Sequence, residues 1–132
     1  GLASDAFLLN LGTAAQLCAV EPSPCFGEFE SRPYFNGATL CTVTRLLGGR
    51  DIRQHENDPA FGDRMTQDYL QAIRKLPPRR RLRVIGGAAQ HYRSLIDSVC
   101  QRLALPYTVE MESDALDGLN KLVAMEKSHE TH

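Results

Sequence analysis

The sequence lacks several features that identify common classes of protein. No apolar run approaches the roughly 20 residues that cross a bilayer, so no membrane-spanning segment and no membrane partner are predicted. The four cysteines include no C-x-x-C pair and no histidines at ligand spacing, which argues against a zinc site. The formal net charge is only −1, and this balance argues against electrostatic capture of nucleic acid.

What is present is the composition of one globular domain. The chain has 132 residues, of which 42% are hydrophobic and 23% charged, enough for a single core. We expect one domain over residues 1–126 and a polar tail over 127–132. Cys18 and Cys100 lie in apolar runs as reduced core thiols, which favours a cytoplasmic protein. Because Gly1 directly precedes a strand, we expect an excised or processed piece.

The best candidate for a ligand-binding segment is a glycine-containing turn between two strand-length apolar runs, 6–11 and 15–20. This pattern predicts a β-hairpin with Gly12, Thr13 and Ala14 at its tip. Gly12 lets the backbone approach a ligand and Thr13 adds a hydroxyl, so the tip suits an anionic oxygen such as a phosphate. The alternative is an ordinary hairpin whose glycine only makes the turn.

The middle of the chain predicts a third strand and two helices. Residues 28–35 alternate as a strand, although Pro33 favours an edge or an early end. Residues 38–47 have apolar side chains at helical spacing: Leu40, Val43, Leu46 and Leu47. We therefore expect a short helix there, closed by the glycine pair at 48–49, followed by a loop over 50–59. A second helix is predicted from Asp58 to about residue 76.

The second half of the chain predicts strands alternating with helices. A short strand at 82–85 leads through Gly86 and Gly87 into a helix with apolar residues up to Leu103. A strand at 107–111 and a last helix from Ser113 or Asp114 follow. Four arginines precede or occupy the strand at 82–85, and they indicate either a phosphate patch or a solvated start of the strand: Arg79, Arg80, Arg81 and Arg83.

The order of these elements predicts an α/β fold with a ribonuclease H-like core, as in actin-like ATPase domains. Three antiparallel strands precede β-α-β-α units, so we expect a mixed sheet with helices on both faces and later strands parallel to the first. The turns at Gly12 and Gly86 both follow strand carboxyl ends and should converge on one cleft. A metal-dependent nuclease is disfavoured because the first strand carries Asn10 and no acid at its centre.

Several segments together resemble the nucleotide-binding domain of the FGGY carbohydrate kinases. Residues 11–16 (L-G-T-A-A-Q) resemble the phosphate-contacting hairpin of that family. Residues 30–35 (E-S-R-P-Y-F) and 46–49 (L-L-G-G) are similar to its sedoheptulokinase branch. Residues 85–88 (I-G-G-A) resemble its adenosine-binding segment, and 103–106 (L-A-L-P) the stretch that follows. The resemblance covers nearly the whole chain.

This resemblance implies ATP-dependent phosphorylation of a sugar hydroxyl, with Mg²⁺ bound through the nucleotide. Gly12, Thr13 and Ala14 would contact the phosphates. The adenosine would lie against a second group of residues: Gly86, Gly87, Ala88, Gln90 and Gly118. His91 is a further candidate there, and Arg32 would be either a cleft residue or an exposed strand arginine.

The chain also departs from the family pattern. Ala14 stands where the family often has serine, and Leu119-Asn120 replaces a small pair. The family's general base, an aspartate, is expected upstream of residue 1, so no catalytic residue and no protein metal ligand are assigned. A missing N-terminal lobe would hold the sugar, and the chain alone is expected to bind nucleotide weakly, if at all, and to be inactive. The alternative is a non-catalytic binding or assembly module, which could dimerise through the exposed lobe interface.

Overall fold

The computed structural model describes residues 5–110, which form one mixed six-stranded sheet with four α-helices. The strand order is β3-β4-β2-β1-β5-β6. The strands are β1 (Ala6–Leu11), β2 (Ala15–Glu21), β3 (Glu30–Pro33), β4 (Thr39–Leu46), β5 (Arg81–Ile85) and β6 (Tyr107–Val109). The helices are α1 (Gly49–Gln54), α2 (Phe61–Lys75), α3 (Gly87–His91) and α4 (Arg93–Arg102), with a short 3₁₀ turn at Phe35–Gly37.

The centre of the sheet is the hairpin that the sequence predicts. β1 and β2 pair antiparallel, with Leu9 opposite Leu17. On its other side β1 pairs parallel with β5, with Leu9 opposite Val84, and β6 continues the parallel part. The prediction that the later strands run parallel to the first is therefore confirmed.

The hydrophobic core lies against one face of this sheet. Alternate residues of β1 point into it, and Phe7, Leu9 and Leu11 are all at most 1% exposed. Helices α2 and α4 cover this face and contact each other. Their buried side chains are Phe61, Met65, Thr66, Tyr69, Ala72, Ile96, Val99 and Cys100. Alternate residues of the strand and the apolar faces of the two helices thus pack together in one core.

The prediction of a helix over 38–47 is wrong, because this segment forms strand β4. β4 pairs with β2 on one side and with β3 on the other. Its core-side residues lie opposite buried residues of β2: Cys41 opposite Ala19, Val43 opposite Leu17, and Leu46 opposite Ala15. Between Val43 and Leu46 the register shifts by one residue, and Arg45 takes a positive φ of 60°. Because of this bulge, the core-side residues Val43 and Leu46 are three positions apart and not two, which is the spacing expected of a helix.

The third strand of the core is therefore β4, and the strand predicted at 28–35 is the short edge strand β3 beside it. The glycine pair at 48–49 was predicted to end a helix, and this is also wrong. Gly48 precedes α1 and Gly49 is its first residue. The loop predicted over 50–59 is correct only beyond α1, whose one buried residue, Ile52, gives no period to detect.

The remaining helices follow the predicted pattern with one change. Helix α2 ends where predicted but begins at Phe61, two residues after the predicted first position Pro59, and Asp58 accepts a hydrogen bond from the Ala60 N–H just before it. The helix predicted from Gly87 onward is divided into α3 and α4 at Tyr92, whose φ of −112° and ψ of 40° are not helical. The break brings the Tyr92 side chain to the end of the sheet where β1 and β5 terminate.

The arginine run before and within β5 is mostly neutralised by carboxylates. Arg79 pairs with Glu21 at 2.9 Å, and Arg83 forms two hydrogen bonds of 2.8 and 3.0 Å to the Glu110 carboxylate. Arg81 pairs with Asp5 at 2.9 Å. These pairs favour the interpretation as the solvated start of a strand over that as a phosphate patch.

Some predictions fall on residues that the structure does not describe. The helix predicted from Ser113 or Asp114, the site residue Gly118 and the tail over 127–132 all lie outside residues 5–110. Within that described range, no helix has the length and apolar character to span a membrane.

The backbone directly after β5 lies close to the end of β1. Gly86, directly after β5, has a φ of 110° and a ψ of 156°, a conformation that essentially only glycine adopts. A Cβ atom at this position would lie 2.4 Å from the Leu11 carbonyl oxygen. Gly86 is thus required both by its backbone conformation and by the close approach of β1.

We expect Gly86→Ala to lower the free energy of unfolding by about 2–4 kcal/mol, because it adds backbone strain and a clash with β1. Urea denaturation followed by circular dichroism measures this change. The matched control is Gly87→Ala, since a Cβ at Gly87 has no neighbour within 4 Å and its φ is ordinary. That control should change stability by less than about 1 kcal/mol, and an equal loss in both variants would contradict the explanation.

Two buried thiols should react slowly with alkylating agents. Burial raises the pKa of Cys41 to about 11 and that of Cys100 to about 12. At pH 8 only about one Cys41 side chain in a thousand is therefore the reactive thiolate. We expect iodoacetamide to label the partly exposed Cys18 and Cys25 first, as measured by mass spectrometry of the native protein. Equal labelling rates at all four cysteines would contradict this order.

Candidate functional site

The carboxyl ends of β1 and β5 open into a groove of about 510 Å³. The hairpin tip forms one wall, α1 lies beside it, and the start of α3 forms the opposite wall. The residues that line it are Gly12, Thr13, Gly49, Arg50, Arg53, Gly87, Ala88 and Tyr92. The two glycine-containing turns that the sequence singles out, more than 70 residues apart in the chain, therefore border a single groove.

The hairpin tip is held in place by the first turn of α1. The Gly49 N–H donates to the Gly12 carbonyl at 2.8 Å, and the Arg50 N–H donates to the Thr13 carbonyl at 3.0 Å. The N–H groups in the first turn of a helix have no carbonyl acceptors within that helix. The hairpin carbonyls supply the partners, and in doing so they fix the tip relative to α1.

The closeness of this contact requires a residue without a side chain at position 48. A Cβ atom on Gly48 would lie 2.6 Å from the carbonyl carbon of Ala14. A Cβ atom on Gly49 would lie 3.0 Å from both the Gly12 carbonyl oxygen and the Ala88 Cβ. The two adjacent glycines thus let the hairpin, α1 and α3 meet at the base of the groove.

The backbone just before α1 is tied to the core helix α2. The Leu47 N–H donates to the Asp68 carboxylate at 2.8 Å, and the Tyr69 hydroxyl donates to the Leu47 carbonyl at 2.5 Å. Tyr69 is 2% exposed, and burial raises its pKa, so the hydroxyl stays protonated and remains a donor. Both polar groups of Leu47 are therefore fixed by consecutive residues of α2.

The opposite wall combines an open backbone with an aromatic ring. A Cβ atom on Gly87 would have no neighbour within 4 Å, so this wall leaves space for a ligand. The Tyr92 hydroxyl donates to the Glu56 carboxylate at 3.3 Å. Partial burial and this carboxylate raise the pKa of Tyr92, so that the ring carries a neutral hydroxyl at physiological pH.

The structure brings together four of the residues predicted from the sequence: Gly12, Thr13, Gly87 and Ala88 line the groove. Two others adjoin it in the backbone without lining it, since Ala14 contacts Gly48 and Gly86 contacts Leu11. The close approach of Leu11 explains the glycine at position 86, whereas Ala14 is exposed and meets Gly48 through its backbone only.

Three further candidates lie elsewhere. The Gln90 amide donates to the Glu110 carbonyl at 2.6 Å, which directs this side chain to the end of β6 and away from the groove lining. His91 is exposed and its ring contacts that of Tyr92 edge-on. Arg32 is exposed on the edge strand β3, which agrees with the interpretation as a strand arginine.

Sequence reasoning missed Arg50, Arg53 and Tyr92. The two arginines were placed in a loop, and Tyr92 on the apolar face of one long helix. A positive charge every third residue directly after a glycine pair, R-D-I-R, was the available signal. It became interpretable only once the bulge in β4 was known to shift the helix start to Gly49.

The residues that the structure describes contain no cluster of three or more histidine, cysteine, aspartate or glutamate side chains placed to hold a metal ion. Likewise, within this part of the chain the groove lining includes no carboxylate and no histidine. Among the residues that line the groove, the charged side chains are therefore Arg50 and Arg53 of α1, and the Glu56 carboxylate adjoins the lining at Tyr92.

We expect Gly48→Ala to displace the hairpin tip from α1, because the added methyl group would overlap the Ala14 backbone. The free energy of unfolding should fall by about 2–3 kcal/mol, and the amides of Gly49 and Arg50 should exchange with solvent faster, as measured by hydrogen exchange. Gly12→Ala is the control, since its Cβ would meet only the Ala14 carbonyl oxygen at 3.5 Å, an ordinary contact. Unchanged exchange in Gly48→Ala would contradict this account of the groove base.

Comparisons with known proteins identify a fold. No protein-family model matches the sequence, and no curated protein sequence matches it significantly. The structure is similar to that of a ligand-bound xylulose kinase from Lactobacillus acidophilus, with a TM-score of 0.61 and 10% sequence identity. The similarity covers 83% of this chain and 36% of the kinase chain. The chain therefore has the α/β fold of an actin-like ATPase-type domain, as found in part of that sugar kinase.

Proposed function

We propose that this chain is the nucleotide-binding lobe of an ATP-dependent carbohydrate kinase of the FGGY type. The observation that carries the proposal is the single groove bordered by Gly12 and Thr13 on one wall and by Gly87 and Ala88 on the other. These are the segments whose sequences resemble the phosphate-contacting hairpin and the adenosine-binding segment of that family. The fold likeness to part of a xylulose kinase supports the same assignment.

The dimensions and the lining of the groove fit a nucleotide. Its volume of about 510 Å³ lies within the range of roughly 300–1,000 Å³ common for small-molecule sites. In the proposal, Gly12 and Thr13 hold the β- and γ-phosphates while Gly87 and Ala88 lie along the adenosine. The open space at Gly87 admits the ligand close to the backbone, and the Thr13 hydroxyl is exposed at the tip.

In phosphoryl transfer the protein mainly positions the reactants and neutralises charge. Mg²⁺, bound through the phosphates, would supply further neutralisation of the charge that develops on them. The groove lining contributes no carboxylate that could accept the proton of the sugar hydroxyl. We propose that a second lobe supplies this base and holds the sugar, so that this chain alone binds nucleotide without turnover.

The acceptor that we propose is a ketose of the sedoheptulose type. This choice rests on the sequence of residues 30–35, which lie in and after the edge strand β3. The cytoplasm is the compartment that we propose, since all four cysteines are thiols and do not form disulfides.

We expect the 132-residue chain to bind Mg-ADP and Mg-ATP weakly, as measured by calorimetry or by saturation-transfer NMR. Gly87→Val should block the adenosine wall, and Thr13→Val should remove a phosphate donor and weaken binding about fivefold. Absence of adenine nucleotide binding at millimolar concentration would contradict the proposal and favour the non-catalytic module.

Thr108→Val is the matched control for Thr13→Val, because Thr108 is exposed in β6 and does not line the groove. It removes the same hydroxyl and should leave nucleotide binding unchanged. Sedimentation tests the alternative module directly, since assembly through an exposed apolar interface predicts a dimer. Among residues 5–110, Phe26 is the large apolar side chain that is exposed, at 83%.

A further inference from the structure

Arg50 and Arg53 lie three residues apart in α1 and therefore share one side of the helix. Both side chains are exposed and both line the groove, beside the hairpin tip. Their guanidinium groups give this wall two positive charges, while the lining residues contribute no negative charge. The lining residues thus carry two positive charges in a protein whose formal net charge is −1.

The two arginines differ from most others in the described part of the chain, because no carboxylate of residues 5–110 pairs with them. The arginines that do form ion pairs there are Arg64, Arg79, Arg81, Arg83, Arg93 and Arg102. The acids close to α1 have other partners: Asp51 accepts the Gly48 N–H at 3.0 Å, and Glu56 accepts the Tyr92 hydroxyl. Neither carboxylate forms an ion pair with Arg50 or Arg53, so the N–H donors of both guanidinium groups remain available at the groove, while Glu56 keeps its negative charge beside Tyr92.

Two backbone amides at the start of α1 are not available to a ligand in the groove. The N–H groups of Gly49 and Arg50 already donate to the carbonyls of Gly12 and Thr13. An anion in the groove must therefore be held by hydrogen-bond donors other than these two amides. Ala14 also lacks the hydroxyl that a serine would supply at the tip. Each guanidinium group offers five N–H donors in a planar fork suited to phosphate oxygens.

We propose that Arg50 and Arg53 form the anion-binding side of the groove and make it selective for a polyphosphate, the part of the ligand that carries its charge. The proposal rests on the assigned function for the identity of the ligand as a nucleoside di- or triphosphate. It assigns to α1 the charge neutralisation that the hairpin tip, with its one hydroxyl at Thr13, supplies only in part.

The test measures binding of ADP, adenosine and pyrophosphate to the wild-type chain and to Arg50→Gln, Arg53→Gln and the double variant. Each single substitution should weaken ADP and pyrophosphate binding about five- to tenfold, with little change for adenosine. The ADP affinity of the wild type should fall with added salt, and this dependence should be smaller in the double variant. Both residues are exposed, so the variants should fold normally, which thermal unfolding checks.

Arg74→Gln is the matched control, since Arg74 is exposed near the end of α2 and lines a separate surface cavity with Glu28. It should bind all three probes as the wild type does. Unchanged ADP affinity in the double variant would overturn the inference and leave the proposed function standing. A different result would support the inference while the proposed function fails. In that result the wild type binds pyrophosphate and the double variant does not, adenosine does not bind, and ADP binds no more tightly than pyrophosphate. Loss of affinity in Arg74→Gln equal to that in Arg50→Gln would overturn the inference.

Discussion

The candidate site depends on the contact between the hairpin tip and the first turn of α1. Two carbonyls of the tip accept the N–H groups of Gly49 and Arg50, and Gly48 permits the approach. Neither segment could satisfy these backbone groups alone, because a helix start has free donors and a tight turn has free acceptors. The groove forms because these donors and acceptors pair with each other at the carboxyl ends of the parallel strands β1 and β5, where ligand sites commonly lie.

Much of this arrangement could be predicted from the sequence. Alternating or continuous apolar residues identify β1, β2 and β5, and the rule for strand carboxyl ends brings Gly12 and Gly87 together. These inferences need only local periodicity and the topology of parallel strands. They succeed because the core of this domain is regular where its central strands meet.

The rest could not be predicted, because it depends on one irregularity. The bulge at Arg45 adds a residue to β4 and gives the strand the apolar spacing of a helix. Because the spacing predicts a helix over 38–47, it assigns Arg50 and Arg53 to a loop and not to α1. The bulge lies between Val43 and Leu46, where β4 pairs with β2, and such a non-local contact leaves no periodic signal in the chain. The break at Tyr92 is a second irregularity of the same kind.

The bonds from Asp68 and Tyr69 to Leu47 have a consequence for how such a site can diversify. They locate the backbone of the groove base by reference to a buried helix, whereas the groups that would choose a ligand are exposed side chains such as Arg53. Scaffold and selectivity are thereby carried by different residues. Exposed side chains of α1 can be replaced by side chains that bind other ligands without moving the backbone that carries them.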